Sequence, residues 1–284
     1  MEIKWQDKKA QKMKVVQEKG VTFLRYPALE RIPGIVHGFS TRLGGVSEGM
    51  YASMNLSFSR DDEIENVREN YRRLSEAMGF SASDIVTSDQ THTTNVRVVT
   101  EEDRGCGISR PRAYTDVDGL VTDVKGLVLA TFYADCVPLY FVDPVHRAIG
   151  LSHSGWRGTV GKMGAVTVEK MQEQYGTRPE DLYAAIGPSI CQACYEVSED
   201  VIEQFCRVFR RKDWDALFYK KGNGHYQLNL WEANRRILLE TGILEEHLSM
   251  PNLCTCCNPN LLFSHRASKG KRGNLGAFLG IKRE

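Results

Sequence analysis

"DCVPLYFVDPVHRAIGLSHSG" occupies residues 135–155 and reads as two apolar runs folded back across a turn. Asp143-Pro144-Val145-His146 is the turn signal, because proline presets φ at the second turn position. If Val142 pairs with Arg147, Cys136 lies opposite His153 on the same face, with Cβ atoms ~4.5–5.5 Å apart. Two metal-ligand side chains then close the open end of one hairpin. Pro138 cannot donate to a ladder, so it predicts an edge strand or a bulge, and a bulge would shift the register by one and split the pair. Taken alone, the hairpin is also explained by a core cysteine and a strand-end histidine with no shared role.

The surrounding chain interleaves strands and helices. Asp61 to Phe80 is an amphipathic helix, with Ile64, Val67, Tyr71, Leu74 and Met78 at helical spacing, an aspartate cap and Gly79 at its end. Residues 118–153 predict two or three buried strands. Helices are expected over Thr159–Tyr175, Val201–Phe209 and Leu230–Leu239, and a short strand over Tyr183–Ile186. The tail from Leu261 reads as a strand, a basic loop and a final strand. No internal repeat, low-complexity segment or linker divides the chain, so residues 1–284 are expected to form one domain of α+β class, without the regular alternation of a doubly wound sheet.

Composition narrows the function. The chain has 284 residues, 42% hydrophobic and 26% charged, with a net charge of +1. That balance speaks against a nucleic-acid binder with a broad basic surface. The apolar stretch GLVLATFYADCVPLYFV is broken by Asp135 and Pro138, so no membrane span is expected. The N-terminal residues lack a signal-peptide core, and the eight cysteines then read as reduced thiols of a cytoplasmic protein.

A useful metal site needs a third ligand beside Cys136 and His153. His92, in "SDQTHTTNV", is the first candidate and His37 the second. Two histidines and a cysteine would leave one position open on a tetrahedral zinc, as in catalytic sites. A competing metal reading uses the two C-x-x-C pairs, Cys191/Cys194 and Cys254/Cys257, as a structural four-cysteine zinc site, although the pairs are far apart. Cys256 has no assigned role. "HSGWRGTVGK" opens a helix, and Gly155, Gly158 and Gly161 allow backbone N–H groups to approach an anion. "STRLGGVSEG" offers Ser40, Arg42 and paired glycines, and either segment can equally be a plain loop. The deaminase H-x-E with P-C-x-x-C and the H-x-H pairs expected of a multi-copper centre are both absent.

Seven segments together resemble one family: "HGFSTRLGGVSEGMYASMNL" (37–56), "DQTH" (89–92), "DGLVT" (118–122), "ADCVPLYFVD" (134–143), "HSGWRG" (153–158), "AAIGPSICQACYEV" (184–197) and "FSHR" (263–266). It is the laccase-domain, or polyphenol-oxidoreductase, family, now described as purine nucleoside phosphorylases, and the likeness is greatest to its bacterial members. The resemblance implies a catalytic zinc on His92, Cys136 and His153, with copper as an adventitious or alternative metal. It implies a single layered domain, a β-sandwich flanked by helices (α/β/β/α). It also implies purine nucleosides and phosphate as substrates: phosphorolysis of adenosine, inosine, guanosine or methylthioadenosine, and deamination of adenosine. Arg42, Ser40, Asn55 and the Gly155–Gly158 backbone are the expected phosphate- and substrate-holding groups, with Cys136 a ligand and no free nucleophile. Ser154 replaces a common alanine. Asn274 stands near where many members have arginine, which weakens the C-terminal basic loop as a phosphate site. A copper phenol oxidase and a non-catalytic zinc protein are the alternatives, and the expected assembly is a monomer or small homo-oligomer with no nucleic-acid or membrane partner.

Overall fold

A computed structural model describes residues 2–10 and 13–283. In chain order its strands are β1 Lys14–Glu18, β2 Val21–Arg25, β3 Ile35–Ser40, β4 Ile85–Thr87, β5 Val96–Val98, β6 Gly119–Thr122, β7 Val128–Tyr133, β8 Val137–Asp143, β9 Ala148–Ser154, β10 Tyr183–Ile186, β11 Glu196–Ser198, β12 Phe218–Gly222, β13 His225–Leu228, β14 Leu248–Ser249 and β15 Leu275–Ile281. They form one six-stranded sheet in the order β1-β2-β3-β15-β7-β4 and another in the order β14-β10-β8-β9-β6-β5, with a small third sheet β11-β13-β12.

Period-two alternation decides what each sheet buries. In β8, Tyr140 and Val142 point into a shared core with Phe39, Leu129, Tyr133, Ile149, Leu151 and Leu279, so the two large sheets pack face to face. Leu139 and Phe141 point the other way, onto the helices Met163–Tyr175, Glu199–Val208 and Leu230–Glu240. The first sheet's outer face, including Phe23, Ala130 and Phe278, is covered by the helix Ile64–Met78 through Val67, Tyr71 and Leu74. The result is the expected α/β/β/α layering. Gly79, at φ 84, ends that first helix in the left-handed conformation that glycine adopts freely.

Several local expectations change. The 118–153 region yields four strands. The expected helix from Thr159 instead starts at Trp156 and breaks at Gly161–Lys162, where Lys162 is left-handed (φ 56) and a Cβ on Gly161 would lie 2.6 Å from Thr94. Residues 261–264 form no strand, and a short helix, His265–Ser268, follows them. Among the described residues no helix is long and apolar enough to cross a membrane.

The hairpin register is also corrected. Asp143 pairs with Ala148, so Pro138, not Cys136, is opposite His153. The turn slips by one residue because the Asp143 carboxylate accepts the Val145 and His146 amides at 2.9 and 3.0 Å, and Arg147 closes the loop at φ 55. Moving the turn by one residue changes the pairing by two, which preserves the faces, so Cys136 and His153 become diagonal neighbours. Pro138 lies on a central strand without a bulge; its missing N–H leaves the ladder intact because its carbonyl still accepts the Gly187 amide at 2.7 Å.

His37, the second ligand candidate, is a core residue. It is 2% exposed, and its Nε2 accepts the Tyr26 amide at 2.8 Å. Burial, aided by Arg25, lowers its pKa to about 4. The folded state therefore keeps His37 neutral where the unfolded chain protonates it. Between pH 6.5 and about 4 the unfolded state binds the extra proton, so falling pH should remove roughly 3 kcal/mol of stability. Denaturant titrations should find that part of the acid dependence missing in His37→Gln, whose amide can still accept the Tyr26 N–H.

Candidate metal centre

The site is assembled where the chain crosses between the large sheets. The β4–β5 connection carries His92 and the β7–β8 connection carries Cys136, while His153 lies near the end of β9. The Nδ1 or Nε2 atoms of the two histidines and the Cys136 Sγ all lie within 4.8 Å of one another. The His92 and His153 rings meet edge to face at 5.0 Å. A Cβ on Gly155 would come 3.2 Å from both the Cys136 sulfur and His92 Cδ2, so glycine there leaves room for the donor cluster.

Asp118 organises the cluster. Its carboxylate, fully buried, accepts the amides of Thr91, His92 and Thr93 at 2.9, 3.2 and 3.0 Å. Three consecutive N–H groups can converge in this way because His92 is left-handed at φ 70. The same carboxylate bonds His153 Nδ1 at 2.7 Å, which leaves Nε2 as that ring's metal-binding nitrogen. Burial pushes the Asp118 carboxyl up, but His153 and the Thr93 and Thr91 amides outweigh it and hold the group below the usual carboxylate range. Burial likewise raises the Cys136 thiol, yet His153 and His92 bring it down to about 6. Burial lowers His153, but the Cys136 sulfur and Asp118 lift it to about 9. A thiolate and two oriented imidazoles fit a zinc with one open position.

Asp135, immediately before Cys136, is itself left-handed at φ 95. Its carboxylate accepts Thr255 Oγ1 at 2.6 Å and the Arg266 amide at 2.7 Å, and its carbonyl accepts the Ile190 amide at 3.0 Å. Three segments remote in sequence thus fix the backbone that presents the thiolate.

The three donors open into a cavity of about 1040 Å³. Its wall includes Phe58, stacked on Tyr71 at 5.5 Å, and the arginines Arg60 and Arg272. Arg272 Nη1 bonds Gly273 O and Asn274 Oδ1, whereas the buried Nε has no protein partner. Burial and the neighbouring Arg60 lower Arg272 to about 10. No ion pair to Arg60 occurs among the described residues. Two guanidinium groups so poorly compensated create a demand for an anion.

The remaining candidates do not line this cavity. Arg42 donates to Ala52 O and Pro259 O, both at 2.8 Å, and lies over the Phe263 ring. Ser40 Oγ accepts the Gly276 amide at 2.8 Å, and Asn55 Oδ1 accepts the Asn274 amide at 2.9 Å. Ser40 and Asn55 therefore hold the backbone just after Arg272. Gly158 packs inside the structure against His153 O. Sequence reasoning missed Asp118 and Arg272; the only signals were the "DGLVT" match and the basic loop.

A family model described as multi-copper polyphenol oxidoreductase laccase matches residues 36–282. Purine nucleoside phosphorylase YlmD of Bacillus subtilis is 38% identical over 249 residues, covering 87% of this chain and 89% of the relative. Adenosine deaminase RL5, from an unknown prokaryotic organism, is 34% identical over 251 residues, covering 88% and 94%. The crystal structure of YlmD from Geobacillus stearothermophilus superposes with a TM-score of 0.87 at 36% identity, covering 95% of this chain and 99% of that one.

Asp118→Asn should lower zinc affinity ~10–100-fold, because the amide cannot hold the same His153 tautomer and the three amides together. Gly155→Ala should also weaken binding by crowding the donors. Competition against a chromophoric chelator measures both, and unchanged affinity in Asp118→Asn would remove it from the metal centre.

Proposed function

We propose, from the premise that this chain belongs to the multi-copper polyphenol oxidoreductase laccase family, that it is a zinc-dependent purine nucleoside phosphorylase with adenosine deaminase activity. The observation that carries this reading is one cavity joining the His92–Cys136–His153 donor set to two under-compensated arginines and an aromatic wall. A zinc held by His92, Cys136 and His153 would supply Lewis acidity and would bring the pKa of a bound water near 7.

The protein groups divide the work. Asp118 keeps the His153 tautomer and the His92 loop in place. Arg272 and Arg60 hold a phosphate dianion. One phosphate oxygen attacks ribose C1′, the bond from C1′ to the purine nitrogen breaks, and the base departs with the bonding pair and takes up a proton. Positive charge on the ribose peaks in the transition state, so a fixed dianion beside it stabilises that state more than the ground state. Phe58, 38% exposed at the cavity wall, offers a stacking surface for the purine. Deamination uses the same base pocket with water as nucleophile and ammonia as leaving group. Ser40, Asn55 and Arg42 act as positioning residues.

The alternative, a copper phenol oxidase, rests on the wording of the family description. The two histidines of the donor set belong to a single three-residue group, and the other candidate metal group among the described residues is all cysteine. Copper in the three-donor site would be adventitious.

Zinc-loaded protein incubated anaerobically with adenosine should release adenine and ribose 1-phosphate only when phosphate is present, with inosine forming independently of phosphate. Arg272→Ala should cost phosphorolysis on the order of 3–4 kcal/mol, about 10²–10³-fold in kcat/KM for phosphate, while zinc content is retained. No phosphate-dependent adenine, together with fast copper-dependent phenol oxidation, would overturn the reading.

A further inference from the structure

The four cysteines of the two C-x-x-C pairs stand apart from the three-donor set, and the proposed reaction uses none of them. The fold brings them together: the sulfurs of Cys191, Cys194, Cys254 and Cys257 all lie within 4.8 Å of one another. Cys191 and Cys254 are 4% and 0% exposed, and the other two are half-buried. We propose that these residues form a second metal site, a closed tetrathiolate holding a structural zinc.

The geometry supports an ion at the centre over two disulfides. A regular tetrahedron with Zn–S of ~2.3 Å has sulfur–sulfur edges of ~3.8 Å. The observed Cys194–Cys257 and Cys191–Cys257 separations, 3.4 and 4.0 Å, bracket that value. Cys257 is near two sulfurs at once, which suits a shared ion and not a single bond. Each pair sits on a tight turn, closed by the Cys194 amide on Cys191 O at 3.1 Å and by the Cys257 amide on Cys254 Sγ at 3.4 Å. The Cys191 amide also reaches Cys254 Sγ, at 3.2 Å. Two backbone N–H groups thus converge on one buried sulfur, as hydrogen-bond donors do around a metal-bound ligand. Four sulfur ligands fill a zinc tetrahedron, so the site has no open position and its role is structural.

Its position gives that role content. The Cys254 segment meets the Cys191 segment through a Ser189–Cys254 bridge and a Thr255 amide to Ser189 O bond of 3.1 Å. The two segments, 63 residues apart, also contribute Ile190 and Thr255 to the clamp on Asp135. The tetrathiolate would therefore stiffen the support of Cys136 without touching the three-donor site. Cys256 lies outside the four-sulfur set and serves as the internal control.

The test removes the other zinc first. His92→Ala/His153→Ala protein, isolated under reducing conditions and exposed to zinc before gel filtration, should retain about one zinc per chain. X-ray absorption should show sulfur alone around it at ~2.3 Å. Cys256→Ser in that background should keep the zinc and Cys194→Ser should lose it. If Cys194→Ser fails to fold, titrating the histidine double variant with an organomercurial should release its zinc in step with modification of four thiols. A folded double variant that retains no zinc, a nitrogen- or oxygen-bound ion, or a Cys194–Cys257 cystine in the reduced preparation would overturn the proposal.

Discussion

A buried carboxylate with five hydrogen-bonding contacts governs the candidate metal centre. Asp118 is removed from water, and three backbone amides, the Thr93 hydroxyl and His153 compensate it. Losing one of these contacts would leave charge buried and under-solvated, which is more costly than losing an ordinary surface hydrogen bond. The carboxylate therefore does two things at once. It holds His92 in a left-handed turn that is uncommon outside glycine, and it sets the tautomer of a ring on another strand. The position of both imidazoles follows from one charge that must not be left unpaired.

The layered architecture explains why the donors converge at the sheet boundary. Each six-stranded sheet buries one face against the other, so its backbone hydrogen bonds are already used and its interior is apolar. Polar chemistry collects where the chain leaves one sheet for the other. His92 and Cys136 ride on two such crossings, and Asp135 and His92 carry the unusual backbone conformations that the crossings demand. Those conformations are held by bonds from remote segments, as expected when surrounding structure compensates local strain at a site.

The cavity's electrostatics complement the metal centre. Arg272 is presented by the segment leading into β15, whose first residues are gripped by Asn55 and Ser40. Asn274 accepts a bond from Arg272 and so orients it. The two residues expected to touch substrate thus support the arginine that faces the cavity. Arg42, too, is occupied by carbonyl oxygens and an aromatic face. An arginine in a conspicuous loop motif can be a tie between loops as readily as a ligand-binding group.

The sequence by itself was sufficient for the class of the fold, the helix ending at Gly79, and the shared face of Cys136 and His153. These follow from local rules: helical spacing, a glycine terminator and the two-residue period of a strand, which survives a one-residue movement of the turn. The polar stretch around "DQTH" offered His92 as the third donor candidate, and the family motifs added the layered arrangement. Only the tertiary structure decided the register around Asp143, the role of Asp118, the inward turn of Arg272 and the meeting of the cysteine pairs. Each depends on segments far apart in the chain, and neither hydrophobic periodicity nor short-range spacing encodes which loops will meet across the boundary of two packed sheets.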